Sequence, residues 1–70
     1  MMTHEINMMA FYQRQLNNKR TQALPAQFGY YYEELEALYC KHCANNGGDL
    51  KVRNLGIKET LNQYRNRYGA

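Results

Sequence analysis

The sequence has no tryptophan, one proline and few aliphatic side chains. Seven Leu, two Ile, one Val and two Phe occupy about a sixth of its 70 positions. A chain of this length cannot form two hydrophobic cores, and a single small core is marginally stable. Seven Tyr and four Met add apolar bulk, and the net charge of +3 is too low to favour disorder. We therefore expect one thinly cored domain, of a kind that often needs a partner, a metal or self-association.

Long apolar runs are missing as well. No stretch approaches the roughly 18 apolar residues of a membrane span, and the first residues lack the basic and apolar regions of a signal peptide. These absences predict a cytoplasmic protein without membrane association. In that reducing compartment, the two cysteines are expected to be thiols.

The sequence also lacks the common catalytic motifs. It has no phosphate-binding loop, no H-E-x-x-H motif and no Ser–His–Asp set with family spacing. Glu33, Glu34 and Glu36 are typical of a solvated helix face rather than of an acid–base pair. The sequence therefore predicts that the protein is not an enzyme.

Positive charge is concentrated at the C-terminal end. Residues 49–70 contain five Lys and Arg against two acidic residues, whereas residues 33–48 contain three acidic residues against one Lys. The calculated pI is about 9.0. A basic end is suggestive of a polyanionic partner.

Apolar spacing predicts an all-α domain of three or four helices over residues 1–70. Thr3 is a candidate cap for an N-terminal helix within residues 1–19, and the polar segment Asn17–Arg20 is expected to end it. The side chains expected to form the core are Ile6, Met9, Leu16, Phe28, Leu35, Leu38, Tyr39, Leu50, Leu55, Ile57, Leu61 and Tyr64.

A central helix is predicted over residues 25–46. Pro25 suits a first helical turn, although Gly29 favours a start as late as Tyr30. The Asn45–Gly48 segment favours the end of the helix, because Asn and Gly accept the left-handed conformation.

A helix-turn-helix-like unit is predicted over residues 49–69. Asp49 can cap a short helix, Gly56 interrupts the chain, and an amphipathic basic helix follows. Alternation at Leu50 and Val52 leaves a strand as the alternative to the short helix.

This pattern favours binding to duplex DNA. The second helix of such a unit lies in the major groove, and flanking cations contact phosphates. The predicted base-facing residues are Lys58, Glu59, Asn62 and Gln63, and the predicted phosphate contacts are Lys51, Arg53, Arg65 and Arg67. One unit makes few base contacts, so a homodimer is expected, with the first two helices as its contact.

The run Leu55-Gly56-Ile57, followed by Thr60-Leu61 and a basic helix ending Arg67-Tyr68-Gly69, resembles a known unit. It is similar to the C-terminal helix-turn-helix of the factor-for-inversion-stimulation type, which also closes many enhancer-binding activators. The similarity covers residues 47–69, with Val52 in place of a small residue and one residue fewer inside the motif. The resemblance implies a small DNA-binding protein that regulates transcription, and the chain's size suggests a phage or plasmid accessory protein.

Tyr30, Tyr31 and Tyr32 point in three directions on a helix, so at least one must reach the surface. Tyrosine is common at protein interfaces, which makes all three candidates for a protein contact. Partial burial and stacking on single-stranded bases are the alternatives. The alternative function is therefore a non-enzymatic inhibitor or modulator that binds a protein through a Tyr-rich helix.

Cys40-Lys41-His42-Cys43 contains one C-x-x-C pair, which is half of a zinc site. No second pair follows, so Cys40, His42 and Cys43 are weak candidates for a metal site and no cofactor is expected. One cysteine, Cys43, is expected to pack as a small hydrophobic side chain. Two alternatives remain, namely a zinc site completed by His4 and a redox-active pair of the two cysteines.

Overall fold

The computed structural model describes residues 3–44 and 50–69, with side chains over residues 4–42 and 52–67. Five helices occupy these ranges, and no strand occurs in them. They are α1 (Thr3–Leu16), α2 (Lys19–Gln22), α3 (Pro25–Ala44), α4 (Leu50–Leu55) and α5 (Ile57–Gly69). The predicted all-α fold is confirmed, and Leu50 and Val52 belong to a helix rather than to the alternative strand.

The N-terminal helix ends just before the polar segment Asn17–Arg20, as predicted, but this segment also begins a second, short helix. α1 ends at Leu16, and the Asn18 side chain accepts a 2.8 Å hydrogen bond from the backbone N–H of Arg20, which caps α2. Gln22 Nε2 donates to the Leu16 carbonyl at 2.9 Å. That carbonyl has no partner inside α1, so α2 caps the end of the preceding helix.

Pro25 is the first residue of α3, and Gly29 does not delay the start to Tyr30. The Phe28 N–H donates to the Leu24 carbonyl at 2.9 Å, so helical hydrogen bonding is already present in the first turn. α3 continues for 20 residues. The segment Asn45–Asp49, with the predicted helix stop and cap, lies outside the described residues.

α3 packs against α1 on one side and against α5 on another. Glu5 near the start of α1 contacts Lys41 near the end of α3, and Tyr12 stacks on Tyr31 at the other end of the pair. α1 and α3 are therefore antiparallel. The core lies between these helices and includes Val52 of α4.

Tyrosine supplies core volume that the few aliphatic side chains cannot. Of the predicted core, seven side chains are buried, namely Met9, Leu16, Phe28, Leu35, Ile57, Leu61 and Tyr64. Ile6, Leu38, Tyr39 and Leu55 are partly buried, and the Leu50 side chain lies outside the described residues. The prediction missed Tyr12, Tyr32 and Val52, which are all buried. Tyr32 is tolerated there because its hydroxyl donates to the Leu61 carbonyl at 3.4 Å.

Candidate nucleic-acid interface

The turn between α4 and α5 depends on the backbone of Gly56. Its φ is +73°, in the left-handed region that glycine adopts without steric cost. A Cβ there would meet nothing within 4 Å, so the conformation rather than space favours glycine. The Gly56 N–H donates to the Arg53 carbonyl at 3.0 Å, and the Thr60 N–H donates to the Gly56 carbonyl at 3.0 Å. The predicted break at Gly56 is confirmed, and we call residues 50–69 the α4–α5 hairpin.

Gln13 of α1 fixes this hairpin to the rest of the molecule. Its Nε2 donates to the Leu55 carbonyl at 2.6 Å and lies 2.9 Å from Thr60 Oγ1. The Leu55 carbonyl ends α4 and has no partner inside that helix. Thr60 Oγ1 in turn donates to the Gly56 carbonyl at 3.0 Å. One glutamine side chain thus holds both sides of the turn, and the sequence carried no signal for it.

α5 is divided sharply between an apolar and a polar side. Ile57, Leu61 and Tyr64 are buried against α1 and α3. We use the name α5 polar face for the exposed residues Lys58, Glu59, Asn62, Gln63, Arg65 and Asn66. All four predicted base-facing residues and Arg65 therefore lie on one exposed surface.

The cationic edge of the α5 polar face borders a groove between α3 and α5. Lys58, Asn62 and Arg65, at helical spacing, line one wall. Glu36 and Cys40 of α3 line the other wall, and the groove volume is about 190 Å³. Glu59 and Gln63 project farther from α3, because each residue advances about 100° around a helix.

Arg67 is bound within its own chain. Its Nη2 donates to the Gln22 carbonyl at 2.8 Å, and its guanidinium carbon lies 5.2 Å from the centre of the Phe28 ring. The sequence did not predict α2, which brings this acceptor to the Arg67 side chain. The side chain is exposed, and its contact with phosphate stays a prediction. Of the other predicted phosphate contacts, Arg53 is exposed on α4, and the Lys51 side chain lies outside the described residues.

Tyr64 secures the C-terminal half of α5 to the turn between α1 and α2. Its hydroxyl donates to Asn17 Oδ1 at 2.6 Å and accepts from Gln22 Nε2 at 3.2 Å. Its ring packs edge-on against Phe28, with 5.4 Å between ring centres. With Gln13 at the other end, side-chain hydrogen bonds hold α5 at two points.

The three consecutive tyrosines have three different environments. Tyr32 is only 3% exposed, Tyr31 is half-buried and Tyr30 is 57% exposed. This confirms that at least one must reach the surface, but Tyr32 is a core residue and cannot belong to a surface contact. Phe11, which the sequence pattern did not single out, is 45% exposed beside them.

Phe11, Tyr30 and Tyr31 form what we call the aromatic face, across α1 and α3. The Phe11 and Tyr31 ring centres are 6.1 Å apart, and those of Tyr30 and Tyr31 are 5.3 Å apart. Tyr12 lies beneath them, 5.9 Å from Tyr31 between ring centres. Burial raises the pKa of the Tyr12 hydroxyl, and the neighbouring Tyr30 and Glu34 raise it further.

The candidate metal ligands lie on different sides of α3. Cys40 is an exposed free thiol at the groove, whereas His42 is buried with its Nε2 3.3 Å from Glu5 Oε1. Two residues along a helix point in nearly opposite directions, which explains the separation. The Cys43 side chain lies outside the described residues, among which no three His, Cys, Asp or Glu form a metal site.

Glu5 of α1 forms an ion pair with Lys41, near the C-terminal end of α3. Lys41 Nζ donates to Glu5 Oε2 at 2.7 Å. This hydrogen bond holds the pKa of the Glu5 carboxyl below its usual value, against a smaller opposing effect of burial. Neither ring nitrogen of His42 makes a hydrogen bond within the described ranges, although Nε2 lies 3.3 Å from Glu5 Oε1. The arrangement is a structural contact between α1 and α3.

Comparison of the chain with protein-family models, with curated proteins and with solved structures gives no match. Within residues 3–44 and 50–69, no helix is both long enough and apolar enough to cross a membrane.

Proposed function

We propose that the protein is a small DNA-binding regulator that binds duplex DNA through the α5 polar face. The observation that carries the proposal is a continuous exposed polar surface on a helix whose other side is buried. The turn at Gly56 and the hydrogen bonds from Gln13 hold this helix in place. The resemblance of residues 47–69 to a DNA-binding helix-turn-helix supports the same use of the α4–α5 hairpin.

The residue types on the α5 polar face suit both parts of DNA recognition. Lys58 and Arg65 are seven residues apart, which places them about 10 Å apart along the helix axis. Cations so placed can contact phosphates on either side of the bases that the helix reads. Asn62 and Gln63 lie between them, and side-chain amides can pair with the major-groove edge of adenine. Glu59 can accept from the cytosine amino group.

Charge reversal of Lys58 and Arg65 tests the proposal. We expect the double variant K58E/R65E to bind duplex DNA at least about tenfold more weakly than the wild type. The dependence of log K on log salt should become shallower by about 0.9 for each phosphate that the variant no longer neutralises. Fluorescence anisotropy with a labelled duplex, at several salt concentrations, measures both quantities.

The matched control is K19E/R20E, which makes the same change of charge on the exposed side of α2. We expect it to bind DNA nearly as well as the wild type. Equal loss of binding in both double variants would mean that only net charge matters. Unchanged binding by K58E/R65E would also contradict the proposal. Arg67 is left intact in both variants, because its substitution would disturb the contact with Gln22.

A second candidate function, non-enzymatic capture of a different protein, is favoured by the exposure of the aromatic face. Phe11 and Tyr30 retain large exposed ring areas, and exposed aromatic side chains are common anchors of protein interfaces. Tyr31 is a poorer site for a test, because it also packs against the core.

The variant F11S/Y30S tests this second function. We expect immobilised wild-type protein to retain a partner from cell extract that F11S/Y30S does not retain. Leu24 is exposed to the same fraction as Phe11 and is not part of the aromatic face, so it provides the control variant L24S. Loss of the same partner with L24S, or its retention by folded F11S/Y30S, would contradict use of the aromatic face.

A further inference from the structure

We infer that the aromatic face binds a second copy of this chain, giving a two-fold symmetric dimer. This goes beyond DNA binding and does not rest on it. The starting observation is that Phe11 and Tyr30 lie in one connected ring cluster and are both about half exposed. A protein with so few apolar side chains leaves two of its nine aromatic rings in water at one place.

Charge around the cluster is arranged for self-association. Arg14 follows Phe11 by one turn of α1 and is exposed. Glu34 follows Tyr30 by one turn of α3, and its carboxylate is near enough to raise the pKa of Tyr12. Because α1 and α3 are antiparallel, these opposite charges flank the aromatic face at opposite ends.

A two-fold axis through the aromatic face makes this arrangement complementary to itself. In such a dimer the same patch meets itself, so each side chain faces a different position on the second copy. The axis brings Arg14 of each chain towards Glu34 of the other, while the exposed rings meet at the centre. A patch with one sign of charge would repel its own copy. Because the patch carries both signs, two copies can pair through it without net charge repulsion.

A small dimer needs a contact area larger than the exposed rings alone, so the neighbouring surfaces of α1 and α3 must take part in the contact. A standard interface buries about 800 Å² on each partner, which is about a sixth of the 4905 Å² surface of this chain. A fully buried aromatic side chain covers about 150–250 Å², and about half of that area remains exposed on Phe11 and on Tyr30. The aromatic face is made by α1 and α3, whereas the α5 polar face lies along a different helix. A dimer formed in this way leaves both copies of α5 uncovered.

The test is a charge exchange monitored by sedimentation equilibrium without DNA. We expect the wild type to dimerise, and R14E and E34R each to weaken dimerisation about tenfold or more, because each places like charges in contact. The double variant R14E/E34R should restore dimerisation towards the wild-type level, since it regenerates both pairs with reversed sign. Circular dichroism confirms folding, and Y30S provides a second variant that should be monomeric without a change of charge.

Several results would overturn the inference. A wild-type chain that stays monomeric at high micromolar concentration would do so. A dimer that Y30S does not weaken, or that R14E/E34R does not restore, would place the contact elsewhere. The wild type could instead be monomeric and bind a different protein. If the F11S/Y30S variant no longer bound that protein, the aromatic face would be assigned to it. A dimer with the expected variant pattern but no DNA binding would support this inference while contradicting the proposed function.

Discussion

Replacement of Leu35 by alanine is expected to remove a large part of the stability of the fold. Leu35 is fully buried in α3, the helix that packs against both α1 and α5. Leu→Ala substitutions at such sites cost about 2–5 kcal/mol, because apolar burial decreases and a cavity remains. A 70-residue domain has a total free energy of unfolding of about 4–10 kcal/mol. The L35A variant should therefore lose a large part of its free energy of unfolding and unfold at a much lower urea concentration than the wild type.

Urea denaturation followed by circular dichroism measures this loss. The control is L24A, which removes the same atoms from a side chain that is 45% exposed before α3. We expect L24A to change the free energy of unfolding by at most about 0.5 kcal/mol. A loss below about 1 kcal/mol in L35A, or equal losses in the two variants, would contradict the packing described above.

Replacement of Gln13 by leucine should have the second largest effect. Leucine is similar in size but cannot donate a hydrogen bond to the Leu55 carbonyl or interact with Thr60 Oγ1. Leaving a fully buried acceptor unpaired costs about 1–3 kcal/mol, and because both contacts of Gln13 are partly buried the loss should lie near the lower end of that range. We expect a loss of this size in the free energy of unfolding, measured by urea denaturation.

The substitution should also change the α4–α5 hairpin more than the rest of the fold. Amide hydrogen exchange should accelerate most at residues 53–60, where Gln13 holds the turn. The matched control is Q27L on the exposed side of α3, which should leave stability and exchange nearly unchanged. Wild-type stability in Q13L, or a uniform increase of exchange along the chain, would show that Gln13 does not fix the hairpin.

Features set by local backbone chemistry were predictable from the sequence. The start of α3 at Pro25 and the turn at Gly56 follow from the conformations that proline and glycine favour. The division of α5 into apolar and polar sides follows from the spacing of Ile57, Leu61 and Tyr64. These signals act within a few residues, so the sequence shows them directly.

Features set by contacts between distant residues were not predictable. Gln13 meets Leu55 and Thr60 at separations of 42 and 47 residues, and Arg67 meets Gln22 at a separation of 45. Nothing in the sequence distinguishes the polar side chains of Gln13, Gln22 and Arg67 from polar side chains that are simply exposed to solvent. Tyr32 could not be distinguished from Tyr30 and Tyr31, because the packing of α3 against α5 decides which ring is buried.

The role of the α5 polar face is tested most directly by a backbone amide NMR titration with mixed-sequence duplex DNA. The titration is run at about 50 mM and about 200 mM salt, because phosphate contacts weaken steeply over that range. We predict chemical-shift changes at residues 57–66 that decrease at the higher salt. No change at the lower salt, or changes confined to α1 and the aromatic face, would contradict DNA binding by α5.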